Sequence, residues 1–387
     1  MADIPRMRIL LVTRNLPPLT GGMERLNWHM AAELSKTHEV KIIGPQGSAA
    51  IAPQAVGVHE VPLKPVGKFL LASWYQAHRM ARQWQPDIVL AGSGLTGPIA
   101  YHTARACKAK TVVYVHGLDI AVKHPIYRLL WLPSIRKADR IITNSEPTRE
   151  LCLEIGIKQD RIGTVHPGVE LPSKLDSSQR TRFRSRNGFG ERPLLLSVGR
   201  LSARKGLREF VRLSLPHIVK ERPETLLLIV GDVPDNALNS QAQTPDSILA
   251  EAEKAGISEC VRFLGKVDDK ELSSLYQAAD VHIFPVRTIP GDPEGFGMVA
   301  VEAAAHGLPT VAFATGGIVD AISEGKSGHL ITPCDYVGMA ETILHVLTDS
   351  TRLRQSCRDF ASRFSWPVFG EQLGDQIALL SNRRNTQ

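Results

Sequence analysis

Short runs of consecutive apolar residues recur along the whole chain, and helical patterns separate them. Near-continuous apolar runs that alternate with helices are typical of parallel strands buried on both faces. The runs of the first half lie at 8–13, 40–43, 88–90, 111–115 and 140–143. Those of the second half lie at 194–198, 225–230, 261–264, 281–284 and 310–313. The pattern predicts an α/β protein with two Rossmann-like, doubly wound domains that face a central cleft.

The two series of strands are separated by residues 172–192, a polar stretch rich in Arg, Ser and Gly. We therefore predict an N-terminal domain over residues 1–178, a hinge over 179–192 and a C-terminal domain over 193–365. Residues 366–387 begin with an amphipathic helical pattern, and this helix could pack back on either domain, with the N-terminal domain as the placement we predict. A chain of 387 residues has the length of two domains.

Composition narrows the class of protein. Hydrophobic residues make up 43% of the chain and charged residues 22%, which fits a globular protein and excludes disorder. No apolar run reaches the roughly 18–20 residues of a membrane span, and the N-terminus lacks the apolar stretch of a signal peptide. The five cysteines form no Cys-x-x-Cys pair, which disfavours a disulfide scaffold or a cysteine-rich zinc site. We expect a cytoplasmic protein.

The net charge of +7 comes from the first half, which carries +8, whereas the second half carries −1. Residues 1–178 hold 22 Lys and Arg against 14 Asp and Glu, which leaves 24 against 25 for the rest. A basic domain favours an anionic partner, but no nucleic-acid-binding motif accompanies the charge. Segments 64–75 and 123–137 mix cations with bulky apolar side chains, so we expect this domain to dock on the anionic inner face of the cytoplasmic membrane. The alternative is that these aromatic residues belong to the core.

Two cations follow a strand of the second half in a loop bounded by glycines. The loop runs from Gly199 to Gly206, with Arg200 after the first glycine and Lys205 before the second. Arginine binds phosphate through two parallel hydrogen bonds and lysine acts as a point charge, so this loop can hold a diphosphate. A solvated basic turn would show the same residues.

Two carboxylates flank the start of a predicted helix further on. Glu294 lies in a glycine-rich loop, and Glu302 lies on the helix that Gly307 closes. Eight residues span about 2.2 helical turns, so both side chains could lie along one ligand. Ionised carboxylates accept several hydrogen bonds, which suits sugar hydroxyls. A glutamate favoured near a helix N-terminus and a second one on the surface are the structural alternative.

The first half offers two weaker candidates. His116 lies at the end of a predicted strand, where ligands of such sheets bind, although a lone histidine is more often structural. Gly21 and Gly22 join the first strand to its helix, and their backbone could approach a ligand closely. Their spacing is not that of the dinucleotide fingerprint, which counts against a dehydrogenase.

Taken together and in this order, the motifs resemble those of the retaining glycosyltransferases of the GT-B fold, family 4. The segments that match are Glu294-x7-Glu302, Gly199-Arg-Leu-x3-Lys205-Gly206, Leu228-Ile-Val-Gly231-Asp232, Gly265 before an acidic helix start, 279–285, 314–320, Gly21-Gly22 and His116-Gly117. The resemblance covers nearly the whole chain and is more specific in its second half. Val233 stands where the family has a second glycine, and 167–170 is one residue shorter than the usual motif.

The resemblance implies a role for each candidate side chain. Glu294 and His116 would lie near the transferred sugar as the catalytic candidates. Glu302 would bind the ribose hydroxyls of the donor, and Lys266 and Val267 would border its base. The donor diphosphate would be held by a set of loop residues from both halves: Arg200, Lys205, Gly21, Gly22, Gly297 and Met298.

The activity implied is transfer of a hexose from a nucleotide-diphosphate sugar to a lipid-linked saccharide acceptor, with retention of the α configuration. Bacterial surface polysaccharide or lipopolysaccharide (O-antigen) synthesis is the setting we expect, with GDP-mannose or GDP-rhamnose favoured over UDP-sugars. No Asp-x-Asp stands among these motifs, so we expect metal-independent chemistry without a cofactor. The alternatives are a sugar-nucleotide epimerase of the same fold and a non-catalytic nucleotide-sugar-binding protein.

Overall fold

The computed structural model describes residues 6–172, 177–233, 243–349 and 351–381. Within these ranges the chain divides into two compact units. The first contains residues up to Gly168 together with those from Trp366 onward, and the second contains residues 169–365. Each unit is built on its own parallel sheet with helices between the strands. The predicted fold class, two Rossmann-like α/β domains, is confirmed.

The sheet of the first unit has the strand order β3-β2-β1-β4-β5-β6-β7. Its strands are β1 (Arg8–Val12), β2 (Glu39–Pro45), β3 (Gly57–Val61), β4 (Ile88–Ala91), β5 (Lys110–Val115), β6 (Arg140–Thr143) and β7 (Ile162–Thr164). The helices between them are α1 (Gly22–Ser35), α2 (Val66–Trp84), α3 (Gly97–Cys107), α4 (Leu118–Ala121), α5 (Pro125–Leu130), α6 (Leu132–Arg136) and α7 (Glu146–Glu154). The direction of strand order reverses between β1 and β4, and ligands of doubly wound sheets bind at such a switch point.

The C-terminal helix, Trp366–Ser381, completes the first unit. Gln376 of this helix accepts a hydrogen bond from Nε of Arg140, the first residue of β6, at 2.9 Å. At the start of the helix, the Trp366 ring stacks on His29 of α1 with 3.8 Å between ring centroids. These two contacts attach the helix to both the sheet and α1.

The sheet of the second unit has the order β10-β9-β8-β11-β12-β13. Its strands are β8 (Leu194–Val198), β9 (Leu226–Val230), β10 (Val261–Gly265), β11 (Val281–Phe284), β12 (Thr310–Phe313) and β13 (Gly328–Ile331). Its helices are α8 (Ser177–Arg186), α9 (Leu207–Leu213), α10 (Leu215–Glu221), α11 (Pro245–Lys254), α12 (Asp269–Ala278), α13 (Met298–Ala305), α14 (Ile318–Ala321), α15 (Tyr336–Thr348) and α16 (Arg354–Ala361). Here the strand order reverses between β8 and β11, so the loops after these two strands lie at the switch point.

The stretch predicted as a hinge, 179–192, has a different structure. Most of it belongs to α8, which is part of the second unit. Arg180 and Arg184 of this helix form ion pairs with Asp280 at 2.6 and 3.3 Å, and Asp280 also accepts the backbone N–H of Leu194 at 2.8 Å. Two of the arginines that make this stretch look like a solvated linker are therefore bound to one largely buried carboxylate. The division of the chain falls earlier than predicted, after Gly168.

Three strands carry no strong apolar run in the sequence. They are the edge strands β3, β7 and β13, which are short and only partly buried. An edge strand has one neighbour and needs fewer apolar side chains, so its pattern is weak. Among the helices of the described residues, none is both long and apolar enough to span a bilayer.

Candidate active site

The loop after β8 is shaped by close backbone packing at its first glycine. Gly199 has a φ of 144°, in the region that favours glycine, and its N–H donates to the carbonyl of Val230 at 2.9 Å. A Cβ on Gly231 would overlap the Gly199 carbonyl oxygen. The loops after β8 and β9 therefore approach each other at two glycines, and the chain leaves β8 toward the cationic side chains that follow.

Lys205 and its neighbour Arg204 both bind Glu294. Nζ of Lys205 donates to Oε2 of Glu294 at 2.9 Å, and Nη1 of Arg204 forms an ion pair with the same oxygen. Nε of Arg204 lies 3.3 Å from Oδ2 of Asp292. Nζ of Lys205 also lies 4.6 Å from the centroid of the Phe284 ring. The side chains predicted to hold the diphosphate and to face the sugar are thus joined in one cluster.

The electrostatics of this cluster keep Glu294 ionised. Burial alone would raise the pKa of Glu294, but the charges of Lys205, Arg204 and Arg200 outweigh it and lower the pKa to about 2. Burial lowers the pKa of Lys205 below its ordinary value, with Glu294 acting in the opposite direction. The side chains of Glu294 and Lys205 are only 12% and 18% exposed. Their attraction is therefore weakly screened by solvent.

Arg200 completes the cationic side of the site. It lines one pocket together with Lys205 and Phe284, and its side chain is exposed. Arg200 makes no ion pair with any residue that the structure describes. The cluster therefore has three cations, Arg200, Arg204 and Lys205, against the two carboxylates of Asp292 and Glu294. The surplus of positive charge favours an anionic ligand.

The Glu294 loop is fixed by the backbone of the segment before α14. Gly317 donates its N–H to the carbonyl of Glu294 at 2.9 Å. A Cβ on Gly316 or Gly317 would press on the carbonyl oxygens of Glu294 and Gly295, respectively. Only residues without a side chain allow this approach, so the two glycines set the position of Glu294.

Glu302 lies on α13, as predicted, and is 8% exposed. The helix begins after Gly297, which has a φ of 90°, and Met298 is its first residue. One carboxylate oxygen of Glu302 accepts a hydrogen bond from the hydroxyl of Tyr276 at 3.2 Å. This contact orients the carboxylate that the family resemblance assigns to the donor ribose.

The loop that was predicted to border the base follows β10. Gly231 donates its N–H to the carbonyl of Gly265 at 2.9 Å, which joins the loops after β9 and β10. Lys266 is exposed, with Nζ 3.9 Å from Oδ2 of Asp232, and Val267 packs partly buried against the core. These residues lie at the same edge of the sheet as Arg200 because all the strands are parallel.

In the first unit, His116 lies directly after β5. Its Nε2 is 3.2 Å from the carbonyl oxygen of Gly92, and its backbone N–H donates to Oδ2 of Asp119 at 2.9 Å. Burial raises the pKa of Asp119, although His116 opposes the change. Gly21 and Gly22 are exposed at the start of α1. His116 and the two glycines thus lie at the carboxyl edge of their sheet, at the ends of β5 and β1.

Sequence reasoning missed three contacts of the site. Arg204 was overlooked although it directly precedes Lys205, and the Arg-Lys pair itself was the available signal. Phe284 ends β11 and Tyr276 lies on α12, and nothing in the sequence links either residue to Lys205 or Glu302. Tertiary packing alone brings these groups together.

No three His, Cys, Asp or Glu side chains converge closely enough to hold a metal ion within the described ranges. The cationic cluster and the start of α13 supply the positive potential of the site instead. Whether the chemistry proceeds without a metal stays a prediction.

The geometry agrees with comparisons with known families. The model described as "Glycosyl transferases group 1" matches residues 179–364, and "Glycosyltransferase Family 4" matches residues 20–172. Together they cover both units and the loops described above. The chain therefore belongs to the family 4 type of GT-B glycosyltransferases.

Similar proteins fall within the same class. The chain is 28% identical, over 98% of its length and 100% of the relative, to the GDP-mannose-dependent alpha-(1-6)-phosphatidylinositol monomannoside mannosyltransferase of Mycolicibacterium smegmatis. It is 33% identical to the D-inositol 3-phosphate glycosyltransferase of the same organism over 60% of the chain. That alignment spans about half of the relative, 51% of its length.

Solved structures share the fold. Anabaena HepE in complex with UDP superposes with a TM-score of 0.79 at 20% identity, covering 96% of this chain and 100% of that one. WaaG, a glycosyltransferase involved in lipopolysaccharide biosynthesis, gives a TM-score of 0.68 at 21% identity over 95% and 99% of the two chains. At these identities the likeness concerns the fold alone.

We expect Glu294→Gln to lower the free energy of unfolding at neutral pH by about 2 kcal/mol or more, because Arg204 and Lys205 lose their shared charge. The pKa of Glu294 is lowered from 4.5 to about 2, so its stabilising contribution is complete above pH 4.5 and is lost as pH falls toward 2. The difference in unfolding free energy between Glu294→Gln and the wild type should therefore narrow as the pH falls from 4.5 toward 2. Urea unfolding between about pH 7 and pH 3 measures it.

Glu341→Gln is the matched control, because Glu341 is exposed on α15. Its unfolding free energy should follow that of the wild type at every pH. A Glu294→Gln difference that stays constant as the solution is acidified would contradict the depressed pKa.

Proposed function

We propose that the protein is a metal-independent, retaining α-glycosyltransferase that uses a nucleotide-diphosphate sugar. The observation that carries the proposal is the cluster of Arg200, Lys205 and Glu294 at the switch point of the second sheet. The cations are placed to bind a diphosphate, and the carboxylate is placed beside them to accept hydroxyl hydrogen bonds from the attached sugar.

The reaction that fits this site is displacement at the anomeric carbon. The acceptor oxygen forms a bond to that carbon as the bond to the β-phosphate oxygen breaks, and the acceptor proton passes to the leaving phosphate. Negative charge grows on the phosphate oxygens, and Arg200, Lys205 and the start of α13 at Met298 stabilise it. Glu294 orients the sugar by its hydroxyls, and no enzymatic nucleophile is assigned.

The remaining candidates receive binding roles. Glu302 is proposed to bind the ribose hydroxyls, and one of its carboxylate oxygens accepts a hydrogen bond from the hydroxyl of Tyr276. Lys266 and Val267 border the base. In the first unit, His116 is proposed to contact the transferred sugar, and Gly21 and Gly22 to approach the diphosphate through their backbone, as the family resemblance implies.

GDP-mannose is the donor we favour, with GDP-rhamnose and UDP-sugars as alternatives. The full-length similarity to a GDP-mannose-dependent mannosyltransferase supports a GDP-sugar. HepE structures that contain UDP or UDP-glucose are similar in fold and support the alternative. Thermal-shift assays with GDP, UDP and ADP identify the nucleotide that binds. The stereochemistry of the product formed from the matching nucleotide sugar then tests retention.

A lipid-linked saccharide of bacterial surface polysaccharide synthesis is the acceptor class we propose. Relatives and structural neighbours include a phosphatidylinositol monomannoside mannosyltransferase and a lipopolysaccharide outer core galactosyltransferase. An epimerase would convert the free donor without an acceptor, and a non-catalytic binding protein would show no turnover. Release of nucleoside diphosphate only when acceptor is present distinguishes the transferase from both.

Docking on an anionic membrane belongs to the same proposal. On α2, the side chains of Leu71, Trp74 and Tyr75 are 72%, 48% and 59% exposed. On α5, three large apolar side chains are exposed as well: Ile126, Leu129 and Leu130. Cations flank both helices, so apolar insertion and attraction to anionic headgroups act together.

Helix α2 contacts α3, and the residue that follows α5 contacts the segment just before α3. His78 of α2 lies 3.2 Å from Oγ1 of Thr103 on α3, and Trp131, which follows α5, donates to the carbonyl of Leu95 just before α3. The aromatic residues of the two segments predicted to meet the membrane are not all exposed: Phe69 is buried and Trp131 is half-buried, whereas Trp74 and Tyr75 are exposed. The exposed Trp74 and Tyr75 support the proposed docking surface, whereas Phe69 belongs to the core.

Lys205→Met should lower the rate of glycosyl transfer by about 100- to 1000-fold, the usual effect of losing one donor that stabilises a developing anion. Steady-state release of nucleoside diphosphate measures the loss. Lys220→Met, an exposed lysine of α10, is the matched control and should keep the wild-type rate. A Lys205→Met enzyme with more than a tenth of the wild-type rate would contradict the role assigned to this cation.

Flotation with vesicles that contain an anionic phospholipid should carry the wild-type protein, and binding should weaken in about 0.5 M salt. The double change Leu71→Ser and Leu129→Ser should abolish flotation, because both side chains are over 70% exposed. Reversal of charge at Arg136 and Lys137 should weaken it as well.

Leu379→Ser is the control for the vesicle experiment. Leu379 is 48% exposed on the C-terminal helix, outside the docking surface, and its loss should leave flotation unchanged. Equal binding to neutral vesicles, or no binding to anionic ones, would contradict membrane docking while leaving the glycosyltransferase proposal intact.

A further inference from the structure

The switch point of the first sheet carries an arginine that the proposed chemistry does not use. Arg14 follows β1, and the neighbouring loop after β4 begins at Gly92, whose N–H donates to the carbonyl of Val12 at 3.0 Å. The hydroxyl of Thr96 donates to the same carbonyl at 2.8 Å. The loops after β1 and β4 are therefore joined, and Arg14 lies at their junction.

Arg14 is nearly buried and has no partner in the described part of the chain. It is 8% exposed, and its Nε is fully enclosed without a hydrogen bond. Its guanidinium forms no ion pair or hydrogen bond with any described residue. The nearby carboxylate of Glu24 accepts a hydrogen bond from Asn15 at 2.7 Å instead.

Such an arginine is costly for the folded chain. A buried charge without a partner loses its hydration and gains no attraction in return. The other buried arginines of the molecule show the usual solution: Arg184 pairs with Asp280, and Arg140 binds Gln376. Arg14 therefore has five unused donors in a fixed fork, which is the geometry that matches a phosphate.

Two further polar atoms beside this loop also lack partners. The hydroxyl of Ser93, after β4, and Oδ1 of Asn27, on α1, are enclosed and make no hydrogen bond with any described residue. A Cβ on Gly92 would contact both Asn27 and Thr13, so these side chains surround the same turn. Polar groups gathered at a switch point indicate a polar binding site, and the Ser93 hydroxyl, unlike the Asn27 oxygen, can donate to an anion.

We propose that Arg14 binds a phosphate group of the acceptor substrate. This inference rests on the proposed glycosyltransferase function, in which the donor diphosphate is held by Arg200 and Lys205 of the second unit. Arg14 belongs to the first unit, and we assign it to the acceptor rather than to the donor. The acceptor class is then a phosphorylated one, with a phosphomonoester, phosphodiester or diphosphate near the hydroxyl that receives the sugar.

Inorganic phosphate and glycerol phosphate are the probes. Their affinities are measured by calorimetry on the full chain carrying Lys205→Met, which weakens binding at the donor site. Adding Arg14→Met should weaken binding of both probes at least tenfold, whereas adding Arg105→Met, a change of an exposed arginine on α3, should leave it unchanged. Equal affinity with and without Arg14 would overturn the proposal.

Stability separates a binding role from a structural one. Without ligand, Arg14→Met should keep or raise the melting temperature, by about 2 °C, because an unpaired buried charge is replaced by an apolar chain of similar length. A fall of more than about 4 °C would show that Arg14 is held by contacts of the fold, and would overturn the proposal.

The source of the phosphate is tested with GDP and UDP on the otherwise wild-type chain. For whichever nucleotide binds the wild type, Arg14→Met should leave the affinity unchanged within twofold. A tenfold loss of affinity would assign Arg14 to the donor and overturn the acceptor site. If neither nucleotide binds wild type, the proposed function fails; phosphate binding that still depends on Arg14 would then support the anion site by itself.

Discussion

The pairing of Glu294 with Arg204 and Lys205 is the interaction on which the candidate site depends. Three cations, Arg200 among them, crowd the carboxyl edge of the second sheet, and their mutual repulsion would disperse them without a carboxylate between them. Glu294 reaches this position because Gly316 and Gly317 allow its loop to approach their backbone. The glycines, the cations and the carboxylate therefore depend on one another: the glycines position Glu294, and Glu294 holds the cations together.

The same electrostatic rule separates structural charges from those available to a ligand. Asp280 pairs with both Arg180 and Arg184 within the second unit, so these charges are bound to one another in the fold. Arg200 and Arg14 differ, since neither is paired with a described residue. One is exposed beside the donor cluster and the other is nearly buried at the switch point of the first sheet. Unpaired positive charge at a switch point is the physical basis for both proposed phosphate sites.

The central strands of both sheets could be read from the sequence, because strands buried on two faces need continuous apolar residues. The cationic loop and the Glu294–Glu302 pair were also recognisable, since their residue types and spacing carry the chemistry. The edge strands β3, β7 and β13, the helix at Ser177–Arg186 and the contacts of Arg204 and Tyr276 were not. Each of these depends on partners far away in sequence: Arg184 on Asp280, and Tyr276 on Glu302. A polar residue has the same appearance in sequence whether it faces water or a distant carboxylate.

The most direct test compares nucleotide affinity with glycosyl transfer in Glu294→Gln. Glu294 pairs with Lys205, the cation proposed to bind the diphosphate, so removal of the Glu294 charge should leave binding of the nucleoside diphosphate unchanged or tighten it. Transfer should fall by more than about 100-fold, because the sugar loses a charged hydrogen-bond acceptor. Titration with the nucleoside diphosphate and measurement of the transfer rate, both on Glu294→Gln, should therefore show retained affinity and lost transfer. Nucleotide affinity and transfer that fall together, or transfer that persists at the wild-type rate, would contradict the arrangement described for Glu294, Arg204 and Lys205.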